Sequence, residues 1–180
     1  MQSIQTVSEN TIYVGASDRR LAKFENLFPI PRGVSYNAYV ILDEKTALLD
    51  TADASVGAQF LENVAAALDG RKLDYLIVDH MEPDHAAMIE AVLVRWPDLR
   101  LVVNAKTLPM LKMYFPTDNA AIDDALVVKE GDTLDLGKHK LTFVMAPMVH
   151  WPEVMMTFDT TTGTLFLSLI HISEPTRPEP

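Results

Sequence analysis

The chain contains no cysteine. That absence excludes disulfides, thiol nucleophiles, thiolate zinc sites and cysteine-ligated iron–sulfur clusters together. Long apolar runs are missing too: nothing approaches the roughly 20 residues that a membrane-spanning helix needs, so no membrane partner is expected. The N-terminus, Met1-Gln2-Ser3-Ile4-Gln5, has neither the basic start nor the apolar stretch of a secretory leader, and a cytoplasmic location is the expectation. Positive charge is scarce: 15 Lys and Arg stand against 25 Asp and Glu, a formal net charge of −10. Phosphate binding needs a basic surface, which argues against a nucleic-acid partner.

What remains is the composition of a soluble globular protein. Of 180 residues, 48% are hydrophobic and 22% charged, enough chain for one domain with a real core. The first third reads as β: Thr11–Val14, then Tyr36–Leu42 and Thr46–Asp50 flanking a hairpin turn at Asp43-Glu44-Lys45. The period then changes, with Val56, Phe60, Leu61, Val64 and Leu68 at helical spacing and Gly70 placed to stop the helix. A buried strand is predicted at Tyr75-Leu76-Ile77-Val78, a helix from about Ala86 to Arg95, a strand at Leu101-Val102-Val103, and a helix over Thr107–Tyr114. Strands return at Leu126–Val128, Thr133–Leu136, Leu141–Val144 and Val154–Phe158, with no internal repeat. This order predicts an α/β layered fold, sheet inside and helices outside, with ligands collecting at strand ends.

The densest chemistry lies at such an end. His80-Met81-Glu82-Pro83-Asp84-His85 places four side chains able to bind a metal within six residues, directly behind a buried strand. Imidazoles mixed with carboxylates suit iron, manganese or zinc. His80, Glu82 and Asp84 are spaced by two, so an extended backbone would send them to one side, while His85 opens the helix. His150, in Ala146-Pro147-Met148-Val149-His150-Trp151-Pro152, stands in a second strand-end loop that could meet the first. Ordinary roles compete with these: Asp84 could cap the following helix, and a lone histidine such as His150 is more often a satisfied or surface residue. Asp50, at its strand end, could orient a ligand histidine or simply end the strand. His139, in Gly137-Lys138-His139-Lys140, reads as part of a solvated turn.

These motifs together carry a resemblance. H-x-E-x-D-H at residues 80–85, Gly33-Val34-Ser35-Tyr36-Asn37-Ala38-Tyr39 with Asp50-Thr51, Glu130-Gly131-Asp132-Thr133-Leu134, and His150-Trp151-Pro152-Glu153 resemble the N-terminal metallo-β-lactamase-like domain of flavodiiron proteins. Hydrolases of that fold carry H-x-H-x-D-H, with a histidine where this chain has Glu82. The resemblance runs from about Thr11 to Phe166 and implies an αββα sandwich, incomplete at its C-terminal side. It implies that His80, Glu82 and His150 bind one non-haem iron, and that Asp84 binds a second with His85 beside it as a ligand or close neighbour. It further implies reduction of nitric oxide to nitrous oxide or of dioxygen to water, with electrons from FMN on a flavodoxin-like domain. The partners it implies are NO or O2, an electron donor such as rubredoxin or a reductase, and a second copy of the chain in a homodimer or homotetramer.

The resemblance stops after Phe166. Leu169 stands where the family's iron-bridging aspartate is expected, and leucine cannot ligate a metal. The stretch from Leu167 to Pro180 is similar to the in-frame translation of a transposon-end sequencing adapter. Residues 1–166 are therefore expected to form a partial diiron domain and 167–180 a non-native, disordered tail in which His171 is no ligand, with the flavodoxin-like domain absent. The isolated chain is expected to be inactive, with less than a full diiron complement and poor solubility. The competing expectations are a metal-dependent hydrolase of the same superfamily, against which Glu82 argues, and a domain that binds metal weakly without catalysis.

Overall fold

The computed structural model describes residues 3–24, 27–115 and 120–168. The chain enters through an antiparallel pair, β1 (Gln5–Ser8) and β2 (Thr11–Tyr13). Four short strands follow: β3 (Ala16–Asp18), β4 (Lys23–Phe24), β5 (Phe28–Pro29) and β6 (Val34–Tyr36), with β3 paired to β6 and β4 to β5. β7 (Tyr39–Leu42) and β8 (Thr46–Leu49) form the hairpin expected around Asp43-Glu44-Lys45. The single strand expected over 36–42 is thus two, because its partner changes from β3 to β2 at Gly15. Only glycine fits there: any side chain would collide with the Tyr36 carbonyl.

The helical and parallel part comes next, as α1 (Gly57–Leu68), β9 (Tyr75–Ile77), α2 (Pro83–Ala86), α3 (Ile89–Arg95), β10 (Arg100–Asn104), α4 (Thr107–Tyr114), α5 (Ala120–Asp123) and β11 (Leu126–Val128). The last segment is all β: β12 (Thr133–Asp135), β13 (Lys140–Met145), β14 (Met155–Asp159) and β15 (Thr164–Phe166). Seven strands make one mixed sheet in the order β1-β2-β7-β8-β9-β10-β11, parallel from β8 onward; β12-β13-β14-β15 make a second, antiparallel sheet.

Side-chain alternation decides the layers. Val40, Leu48, Leu76, Leu101 and Val103 face one way and meet Phe60, Val64 and Leu68 of α1, Ile89 and Val92 of α3, and Leu111 of α4. Ile41, Leu49, Ile77, Val102 and Val128 face the other way and meet Leu134, Leu141, Phe143, Met155 and Phe166 of the second sheet. Strands buried on both faces read as unbroken apolar runs, which is why β8 and β9 were legible. Each such side chain contributes about 1.5–3 kcal/mol on full burial. Helix, sheet and sheet are three layers of the expected sandwich; no second helical layer occurs among the described residues.

Two further expectations need correcting. The helix expected from about Ala86 to Arg95 is broken after Ala86, with Met88 at φ −95° and ψ 2°. The cause is the His85 carbonyl, which accepts from Thr51 N (3.0 Å) and Thr51 Oγ1 (2.5 Å) instead of continuing the helix. His139 is not solvated either: it is buried, its Nδ1 is 2.8 Å from Asp159 Oδ2, and its N–H donates to Asp43 Oδ2 at 2.7 Å. The turn carrying it folds onto the β7–β8 turn, a contact that local sequence does not reveal. Gly70 follows a left-handed cap residue, Asp69 (φ 46°), so α1 stops where expected.

Candidate metal centre

The centre sits where β8, β9 and β13 end. Asp50 leaves β8 with a left-handed backbone (φ 55°), and its Oδ1 accepts from Asp79 N (2.8 Å) and His80 N (3.3 Å). Asp50 therefore holds the backbone before the motif rather than a histidine ring. Its other oxygen takes the Ser168 hydroxyl. Asp79 is pinned by the Thr157 hydroxyl at 2.9 Å. Burial pushes both carboxyls above the ordinary range, and the charge of Asp50 pushes Asp79 further.

Three donors converge. Glu82 Oε2 lies 3.0 Å from His80 Nε2 and 2.8 Å from His150 Nε2, and one ligand atom from each residue falls within 4.8 Å of the others. His80 and Glu82 are buried, whereas the His150 side chain is 52% exposed and opens the cluster toward solvent. His150 has φ 82° and Met148 φ 65°, so the loop bends twice through the left-handed region to bring the imidazole in. Trp151 stands edge-on to His80, centroids 5.4 Å apart.

The expected alternation holds for His80 and Glu82 and fails for Asp84. Glu82 is the extended N-cap of α2, and Asp84 lies inside its first turn, so Asp84 is not the helix cap. Asp84 and His85 form a second position beside the first, with the His85 ring 5.7 Å from that of His80. His85 Nε2 lies 3.3 Å from Asp84 Oδ2, but neither Asp84 oxygen nor either His85 ring nitrogen makes a hydrogen bond, although both residues are buried. Leaving such groups unsatisfied costs about 1–3 kcal/mol each, more when charged, and an ion is one of the few things that explains it. Nitrogen and oxygen donors with no thiolate suit iron, manganese or zinc. The donor set fits a metal. Leu169 and His171 lie outside the described residues.

Glu153 carries no role expected from the sequence. It is buried, and its Oε1 lies 2.8 Å from His80 Nδ1. Burial alone would lower the His80 pKa, but hydrogen bonds with Glu153 and Glu82 lift it to about 9. The Glu153 carboxyl moves down in turn: burial opposes this, and the His80 hydrogen bond outweighs it. Its signal in the sequence is its place at the end of the His150-Trp151-Pro152-Glu153 motif.

A layered sheet pair with a histidine–carboxylate cluster at the strand ends defines a metallo-β-lactamase-like protein. Residues 34–177 match the family described as ODP family beta lactamase. The chain belongs to that family, the β-lactamase-like part of flavodiiron proteins. It is 36% identical over 154 residues to a nitric oxide reductase of Moorella thermoacetica, covering 84% of this chain and 38% of that protein. Among solved structures, rubredoxin:oxygen oxidoreductase of Desulfovibrio gigas shares 31% identity at a TM-score of 0.81, covering 87% of this chain and 38% of that one. The flavodiiron protein of Giardia intestinalis shares 26% at a TM-score of 0.82, covering 92% and 40%. The chain thus spans well under half the length of these relatives. Among the described residues no helix is long and apolar enough to cross a membrane.

Proposed function

We propose that this chain is the diiron-binding part of an oxidoreductase that reduces nitric oxide to nitrous oxide, dioxygen to water, or both, with electrons from FMN delivered by a rubredoxin-like donor. The observation that carries the reading is Glu82, whose carboxylate lies within hydrogen-bond distance of both His80 and His150. A carboxylate in place of an imidazole makes the donor set harder and more anionic, which favours iron over zinc.

His80, Glu82 and His150 would hold one iron, and Asp84 with His85 the second. A ferrous pair supplies electrons and open coordination positions when bound. The chain's own contribution is positional: Asp50 fixes the backbone entering the motif, Trp151 shields His80, and the exposed side of His150 leaves a path for a small gas. With Leu169 where the resemblance expects the bridging aspartate, the second iron would be held less firmly than the first.

Anaerobic reconstitution with ferrous iron, followed by metal analysis, tests this. Saturation nearer one iron than two per chain is expected. Two tightly bound irons would overturn the account of the second position. Zinc binding with thioester hydrolysis, and no affinity for iron, would overturn the oxidoreductase reading in favour of a hydrolase.

A further inference from the structure

His80 is held more tightly than the other residues of the centre, and Glu153 does the holding. One oxygen, Glu153 Oε1, meets the His80 ring at Nδ1 (2.8 Å) and accepts from the backbone N–H of Met81 (3.0 Å). The ring and the backbone beside it are therefore fixed by the same atom. With Nδ1 engaged, Nε2 is the nitrogen left to face Glu82, 3.0 Å away.

Glu153 is itself anchored. Its carbonyl accepts from Asn104 Nδ2 at 2.6 Å. Asn104 Oδ1 in turn accepts from Lys106 N (2.8 Å) and Thr107 N (3.1 Å), at the start of α4. Lys106 Nζ reaches the neighbouring Pro152 carbonyl at 3.1 Å. The loop that swings His150 toward the cluster is thus fastened to the β10–α4 corner through the residue that orients His80. Two donors 70 residues apart in sequence acquire one common support.

The charge of Glu153 also calls for explanation. Its Oε2 is buried and has no hydrogen-bond partner. A neutral side chain of the same shape would fill the space at a lower desolvation cost. A carboxylate behind an imidazole Nδ1–H, however, fixes the ring and makes the opposite nitrogen a better metal donor.

We propose that Glu153 is the positioning residue of this centre, holding the proton on His80 Nδ1 so that Nε2 is presented to the metal. The inference rests on the metal-centre reading above, and its test separates the two. In the metal-free 180-residue chain, proton–nitrogen NMR of the histidine rings should show a downfield, slowly exchanging Nδ1–H for His80. Glu153→Ala should lose that signal. Competition with a chelator should show ferrous iron bound about 10–100-fold more weakly by Glu153→Ala. Glu153→Gln keeps an acceptor oxygen without the charge; it should fold with an unchanged melting temperature and lose affinity to an intermediate degree. An unchanged Nδ1–H signal in Glu153→Ala, or wild-type iron affinity in folded Glu153→Gln, would overturn the proposal. If the wild-type chain binds no iron at all, the metal-centre reading fails, and the NMR comparison still decides the role of Glu153.

Discussion

Two buried histidines lie near opposite ends of β14, and they are treated differently. His139 meets Asp159 at 2.8 Å, Asp159 also takes the Thr162 hydroxyl at 2.6 Å, and neither residue leaves a buried polar atom unpartnered. At the other end His80 is satisfied, but the adjacent His85 and Asp84 leave every side-chain polar atom without a hydrogen bond. The backbone follows the same division: left-handed φ values fall on Asp50, Met148 and His150 around the centre, and on none of His139, Asp159 or Thr162. Burial of a histidine beside a carboxylate therefore does not identify a site. Buried metal-donor groups without hydrogen bonds, beside strained loops, do, because folding alone would have selected against both.

The contrast breaks most readily at Glu82. Glu82→Ala removes the carboxylate that touches both imidazoles and should abolish iron binding, read by metal analysis after reconstitution; retention of the wild-type iron content would erase the distinction between the two ends. Asp159→Ala should do the reverse. It strands the buried His139 and should cost about 1–3 kcal/mol in urea unfolding while leaving iron affinity unchanged. A smaller effect is expected at His85→Leu. The imidazole makes no hydrogen bond and faces Asp84 Oδ2 3.3 Å from its Nε2, so its loss should lower iron occupancy and shift metal-free thermal stability by no more than about 1 kcal/mol. A larger loss of metal-free stability would mean that the Asp84–His85 pair serves the fold rather than a metal.

The smallest effect is in pH dependence. Burial would raise the Asp43 and Asp159 carboxyls, but hydrogen bonds outweigh it and hold both below the ordinary value: the His139, Glu44 and Lys138 N–H groups for Asp43, and Thr162, His139 and Thr161 for Asp159. A carboxyl whose folded value is depressed stabilises the fold fully above the unfolded value of about 3.9, and that contribution is lost as pH falls through the folded value. Asp159→Asn should therefore flatten the acid limb of the stability profile below about pH 4. An unaltered acid limb would show that the His139 end is not a titrating latch.

Much of this architecture was legible in advance where the cause is local. β8 and β9 announce themselves as apolar runs because both faces are buried, and α1 by its period and its stop at Gly70. The two-stranded sheets β3–β6 and β4–β5 were not legible, since their strands are short and form no apolar run. The break after α2 was missed because its cause, Thr51, lies 34 residues away. Likewise, nothing near His139 indicates that Asp43 and Asp159 will enclose it.

Residue identity sets the chemistry on offer: no thiolates, an H-x-E-x-D-H donor run behind a buried strand, and a distant His150. Those follow from residue identity and short-range spacing, which a backbone of period two or 3.6 converts directly into geometry. Which donors meet is a matter of packing. His150 and Glu153 reach His80 through a loop fastened to the β10–α4 corner, while Asp84 leaves the extended run for a helical turn. That outcome depends on how two sheets and a helix pack together, a balance of contacts far apart in the chain that no local pattern encodes.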